Sequence, residues 1–373
     1  MDKLPAIVVP VYRRIASLQR LIASLERAEY PVVPTLHFLI DGGADYEVVE
    51  FCSNYSNLKF AIVVTNHEKN LGVDENVLFA LNLSHTYGAV IVLEDDAFVS
   101  SQFYNYAVQA SEIFSSQPQI AGISLYCYLI NQPSGLPFFP LCNGNDFFAY
   151  QKVSSRGILI TQKQWTVFQQ WYQGYSQIDW NEMMIPDYIS QWPDACWEKI
   201  YNRYLVATNS YLAYPYQSLT TVFGEDGVHV KKLFDENVFQ VPLYTGKRKD
   251  WRLLEDVLYY DSYSERVVSN NIEFDLYGCK PLHLVKRKQI ITSRKVAKFV
   301  KSFGRNLKPH ELNIDYEIAG SDFFLIDGTD ARNSFRKNLF ARYREWQYYF
   351  PDATMLDLIK FKCVQILKRI FKI

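Results

Sequence analysis

Short apolar runs punctuate the first hundred positions, and each stops at a polar or proline break. Ala6-Ile7-Val8-Val9 ends at Pro10, Leu36-His37-Phe38-Leu39-Ile40 ends at Asp41-Gly42-Gly43, and Ala61-Ile62-Val63-Val64 forms a third run. The fourth, Ala89-Val90-Ile91-Val92-Leu93, stops at Glu94-Asp95-Asp96. An unbroken run this short, rich in β-branched residues, suits a strand buried on both faces of a parallel sheet. Helical spacing fills the gaps: Ile15, Leu18, Leu21, Ile22 and Leu25 share a face before Pro31, and an Asn70-Leu71-Gly72 turn precedes a helix from about 74 to 83. Such alternation predicts βαβ units and an α/β fold with a mostly parallel sheet flanked by helices. No Gly-x-Gly-x-x-Gly follows the first strand, which disfavours a dinucleotide domain.

The pattern continues with a helix over 102–116, a strand over 120–125, a Pro/Gly-rich loop over 132–140, and a helix carrying Trp165, Phe168 and Trp171. Beyond about 240 basic clusters appear, Lys247-Arg248-Lys249 and Lys286-Arg287-Lys288, between aromatic-rich segments. The expected domains are 1–240, a C-terminal domain of unassigned role over 241–354, and a basic tail over 355–373. In that tail Leu356, Ile359, Cys363, Ile366, Leu367 and Ile370 share a helical face opposite several lysines. This suits an interfacial membrane segment or a terminal helix docked on the protein's own core.

Composition changes the picture little. The chain has 373 residues, 49% of them apolar, enough for a sizeable core. Lys plus Arg (39) nearly balances Asp plus Glu (40), so net charge argues against nucleic acid as a partner. The six cysteines are scattered, which fits free thiols in a reducing compartment. No leader-like stretch precedes the first strand and no apolar run approaches the ~20 residues a membrane span needs. The expectation is a cytoplasmic chain, its tail reaching the inner face of the cell membrane.

The chemistry concentrates at Glu94-Asp95-Asp96. Acids at the carboxyl end of a parallel strand sit where open α/β sheets bind ligands. Three adjacent carboxylates repel, and a hard divalent cation sharing them with phosphate relieves that repulsion. A solvated acidic turn is the bland alternative.

Four blocks, taken in order, resemble the metal-dependent, inverting glycosyltransferases of the GT-A fold, such as bacterial polysaccharide sugar transferases and Golgi N-acetylglucosaminyltransferase I. They are Val9-Pro10-Val11-Tyr12-Arg13-Arg14, similar to a nucleotide-binding Pro-x-Tyr-Asn-Arg opening; Leu93-Glu94-Asp95-Asp96, similar to the family's DxD motif; Ser154-Ser155-Arg156-Gly157, followed by Trp165; and the loop 218–229. The resemblance implies transfer of a sugar from a nucleotide-sugar donor, UDP-linked, to a hydroxyl of a glycan or lipid-linked acceptor, with Mn2+ or Mg2+. It implies metal ligation by Asp96, with Asp95 reaching ribose or metal-bound water and Glu94 ordering the loop. Pro10, Tyr12, Arg14, Asp41 and Asn70 would line the nucleotide-sugar cleft, Arg14 on the pyrophosphate or the base. His229 would close the late loop over the diphosphate as a second metal ligand. An inverting transfer needs one general base at the acceptor hydroxyl. Asp194 is the first candidate, Glu198 the second and Asp179 the third, although Asp194 stands three residues before Trp197, farther than the family pattern has it. Two other readings stay open: a nucleotidyltransferase, which lacks its usual Gly-rich loop here, and a non-catalytic binding protein for nucleotide sugars or glycans.

Overall fold

The computed structural model describes residues 4–223, 239–268, 271–333, 339–352, 354–360 and 363. Its contacts divide the chain into two units. Among the described residues the first holds 4–128, 142–223 and 239–262, and the second holds 129–141 and the chain from 263.

The first unit is built on a nine-stranded sheet. β1 (Ala6–Val11), α1 (Ile15–Arg27), β2 (Thr35–Ile40), α2 (Tyr46–Asn54), β3 (Ala61–Asn66), α3 (Gly72–Asn82), α4 (Ser84–Tyr87) and β4 (Ala89–Val92) follow in order. β2 and β4 flank β1, and β3 lies beyond β2, all parallel. β1 and β4 are buried on both faces, which is what their unbroken apolar runs require. β3 is the edge strand, so its Val63 and Val64 stay 37% and 38% exposed. α1 buries Leu18, Leu21, Ile22 and Leu25, the face its spacing predicts.

After the acidic motif come β5 (Ala97–Val99), α5 (Phe103–Phe114) and β6 (Ile120–Ser124). The strand Ile158–Thr161 inserts antiparallel between β4 and β6. Tyr211–Pro215 runs parallel to β6 and antiparallel to Phe147–Tyr150. Residues 239–262 belong to this unit because Tyr259–Tyr260 joins its sheet beside Phe147–Tyr150, so the unit runs past the boundary expected near 240. The fold is the expected mostly parallel sheet flanked by helices, with a further C-terminal region.

The second unit carries a four-stranded sheet in the order Ile272–Asp275, Gln289–Thr292, Phe323–Asp327, Lys301–Phe303. Phe274, Leu276, Ile291, Phe303 and Phe323 form one of its cores. Asp275, fully buried, takes hydrogen bonds from Arg294 Nε and Thr292 Oγ1, each at 2.7 Å, which satisfies a charge that would otherwise be costly to bury. Of the tail, residues 355–360 and 363 are described; Leu356 and Ile359 are exposed there and Leu358 is buried. Among the described residues no helix is long and apolar enough to cross a membrane.

Candidate active site

The sheet brings the blocks of the sequence pattern to one end. β1 delivers the chain to Arg14, which opens α1, while β4 beside it delivers Glu94-Asp95-Asp96. Arg14 lies directly on the acids. Its Nε (3.3 Å) and Nη2 donate to the two oxygens of Asp95, and its Nη1 donates to Asp96 Oδ2 at 3.0 Å. The Asp95 and Asp96 side chains are only 8% and 12% exposed. Burial raises the Asp95 carboxyl above its ordinary pKa, against the opposing charge of Arg14. Among the described residues Asp96 Oδ1 is buried with no hydrogen-bond partner.

Pairing of Ile158 with Val92 sets Ser154-Ser155-Arg156-Gly157 beside Leu93 and Glu94. Ser155 lies against two acids: its backbone N–H donates to Glu198 Oε1 at 3.0 Å, and its side chain favours the charged form of Glu94. Burial, then the charges of Asp96 and Glu198, pushes the Glu94 carboxyl up to about 8, with Arg156 and Ser155 opposing. The Arg156 guanidinium packs 4.0 Å from the Phe239 ring centroid, and its Nη1 lies 3.4 Å from Tyr128 Oη. Lys152, 2% exposed, holds Nζ 3.9 Å over the Tyr128 ring. Burial drives its pKa well below the usual lysine value, Arg156 adding to the effect and Glu198 opposing it. Lys152 escaped notice in the sequence because a polar pair between apolar runs reads as an ordinary break.

Glu198 owes its place to a long-range cap. It lies in the first turn of the helix Trp197–Thr208, and the Trp197 N–H donates to Asp74 Oδ1 at 2.9 Å. Asp74, in the first turn of α3, thus ties the start of this helix to the first βαβ layers. Asp194 behaves differently. Its side chain is 86% exposed and pairs with Lys199 Nζ at 2.8 Å. That same ammonium donates to the carbonyls of Ser190 (2.9 Å) and Trp192 (2.6 Å), so Asp194 completes the closure of a turn. Lys199 holds the Asp194 carboxyl below its ordinary pKa. Asp179 accepts from Asn181 N at 3.0 Å and caps its own short turn. The structure therefore brings Glu198, not Asp194 or Asp179, to the residues around Glu94.

The late block also converges. Thr220–Val222 pairs antiparallel with β5, and Phe223 N donates to Asp96 O at 3.3 Å. Thr220 Oγ1 donates to Arg156 O. His229 lies outside the described residues.

Asp41 ends β2 buried, its carboxylate taken up by backbone. Oδ1 accepts from Gly42 N (2.8 Å) and Leu71 N (2.7 Å), and Oδ2 accepts from Gly72 N (3.0 Å). Asn70 Nδ2 donates to Gly42 O at 3.0 Å. Asp41 and Asn70 thus clamp the 70–72 turn against the end of β2. Gly42 is required by that approach, since a Cβ there would lie 2.1 Å from the Lys69 carbonyl carbon. Pro10 is half-buried within β1, and Tyr12 carries the Arg13 guanidinium 4.4 Å from its ring centroid.

Among the described residues no group of three or more His, Cys, Asp and Glu side chains is arranged to hold a metal ion. The orphaned Asp96 Oδ1 does fit a hard divalent cation that takes one carboxylate from the protein and its other oxygens from phosphate and water.

Residues 6–113 match the family described as Glycosyl transferase family 2. No curated protein matches the chain by sequence. Among solved structures it is similar to the mannosyltransferase PcManGT from Pyrobaculum calidifontis in complex with GDP-Man and Mn2+, at 12% identity and TM-score 0.32, over 44% of this chain and 46% of that one. It is similar to S. aureus TarS 1–349 in complex with UDP-GlcNAc at 13% identity and TM-score 0.39, over 60% and 59%. It is similar to GalNAc-T7 with UDP, GalNAc and Mn2+ at 11% identity and TM-score 0.37, over 58% and 43%. The chain spans about half the length of these structures. The family match lies on β1 through α5, the part of the sheet that carries Arg14 and Glu94-Asp95-Asp96.

Proposed function

We propose that this protein is a metal-dependent, inverting glycosyltransferase that moves a sugar from a nucleotide-sugar donor, UDP-linked, to a hydroxyl of a glycan or lipid-linked acceptor. The observation that carries the proposal is the convergence of Arg14, Asp95, Asp96, Ser155 and Phe223 on the end of β4. Asp96 would hold Mn2+ or Mg2+, which when bound neutralises the charge developing on the leaving diphosphate. Arg14 and the turn clamped by Asp41 and Asn70 would border the nucleotide.

Glu198 is the general base of this reading. Ser155 N–H fixes one of its oxygens, and the other carries no hydrogen bond among the described residues, so it is available to take a proton from the attacking hydroxyl. Burial and the neighbouring charges of Asp96 and Glu198 hold the Glu94 carboxyl above its ordinary range, which favours its neutral form when no cation is bound. Arg156 and Lys152, set among Tyr126, Tyr128 and Phe239, form the wall on the Glu198 side.

A donor-hydrolysis screen tests the proposal. Purified protein is incubated with UDP-, GDP- and CDP-sugars, with and without Mn2+, and release of free nucleotide is followed. Metal-dependent release from one nucleotide class supports the enzyme. Tight nucleotide binding with no release from any donor, even with a panel of acceptor glycans, would leave a binding protein instead.

A further inference from the structure

Arg14 sits where two ligands would compete for it. All three of its guanidinium nitrogens are engaged by Asp95 and Asp96, and among the described residues no second cation pairs with either acid. Asp95 is closed by a two-point contact, whereas Asp96 is half engaged: Oδ2 faces Arg14 and Oδ1 has no partner among the described residues. We propose that Arg14 is a cation gate on the metal-binding carboxylate. It holds Asp96 until a nucleoside diphosphate draws it away, so that metal and donor bind as a coupled pair. The inference rests on the donor-site reading above.

The competition for Asp96 is electrostatic. A divalent ion held by Asp96 would share that carboxylate with the guanidinium now bonded to it. Like charges that close, in a site screened from water, weaken each other's binding. A diphosphate removes the conflict. It offers a guanidinium the same forked, two-oxygen geometry that a carboxylate does, with more negative charge. The side chain can make the exchange: it is 30% exposed, while its backbone is fixed where its carbonyl accepts the Leu18 N–H at 3.0 Å. Once Arg14 turns to phosphate, Asp96 is released to the ion, and the ion strengthens the phosphate in turn. Coupling of this kind is reciprocal, so each ligand tightens the other by the same factor.

Calorimetric titration of the full chain with Mn2+ alone, then with Mn2+ in saturating UDP or GDP, tests this in wild type and Arg14→Gln. The expected result is weak Mn2+ binding by wild type alone and tighter binding with nucleotide. Arg14→Gln binds Mn2+ alone about tenfold tighter than wild type, and nucleotide adds correspondingly less. Arg14→Lys, which keeps the charge but cannot span both acids, falls between the two and guards against a folding artefact in the first variant. Unchanged or weaker Mn2+ binding in Arg14→Gln, with wild-type coupling to nucleotide retained, overturns the gate and leaves the donor site intact. Absence of Mn2+ binding by wild type with every nucleotide fails the donor-site reading itself, and the gate with it.

Discussion

Ser155 N–H donates to Glu198 Oε1 at 3.0 Å, joining the block beside β4 to the first turn of the helix Trp197–Thr208. The same serine lies beside Glu94 through the pairing of Ile158 with Val92, so one residue joins the acidic motif to the candidate base.

That coupling separates the first two of the three acids that the sequence offers as bases. Glu198→Gln should slow metal-dependent donor hydrolysis by about 10²- to 10⁴-fold, the range of a lost general base. Asp194→Asn, which removes an exposed partner of Lys199, should stay within about tenfold of wild type. Initial rates of nucleotide release check both. The reverse ranking would move the base to Asp194.

Glu94 should make stability depend on pH in a direction opposite to that of most surface acids. Its folded pKa is raised, to about 8 from an ordinary 4.5, so the folded chain binds more protons than the unfolded chain between those values. Its contribution is therefore complete below about 4.5 and is lost as pH rises through 8. Glu94→Gln removes the loss. With metal chelated, the variant's unfolding free energy should exceed that of wild type at pH 8.5 by on the order of 1–3 kcal/mol, and the gap should close towards pH 5. A gap constant across that range would show that Glu94 ionises normally.

Gly42→Ala should injure the nucleotide side without touching the acids. The added Cβ meets backbone at Lys69, which cannot swing aside as a side chain would. Overpacking of this kind costs about 1–3 kcal/mol. A lower urea midpoint at unchanged slope, together with weakened nucleotide affinity, is the expected outcome. Wild-type affinity at reduced stability would show that the 70–72 turn does not border the ligand.

Much of the first unit was legible because its strands are buried on both faces and so appear as unbroken apolar runs: β1, β2 and β4 stand out that way. The acidic motif was legible for the same reason, since the run of β4 ends on it. What stayed hidden depends on contacts between distant residues. Arg14 could be assigned to the cleft from its place after β1, but its hold on Asp95 and Asp96 spans more than eighty positions. Spacing around Trp197 could not tell Asp194 from Glu198, because the choice is made elsewhere. Lys199 captures the first, and Asp74 turns the helix so that the second meets Ser155. The short strand Tyr259–Tyr260 is hidden among acidic and aromatic neighbours and is identified only by its partner, Phe147–Tyr150.

The central claim is that Asp96 holds a divalent ion that in turn holds a nucleotide diphosphate. The most direct measurement is calorimetric titration with UDP, GDP and CDP, each with and without Mn2+, in wild type and Asp96→Asn. The account predicts that one nucleotide binds wild type in a Mn2+-dependent manner and that Asp96→Asn abolishes the dependence. Equal binding in both proteins with and without Mn2+, or no binding of any nucleotide, would contradict it and return Glu94-Asp95-Asp96 to an acidic turn held together by Arg14.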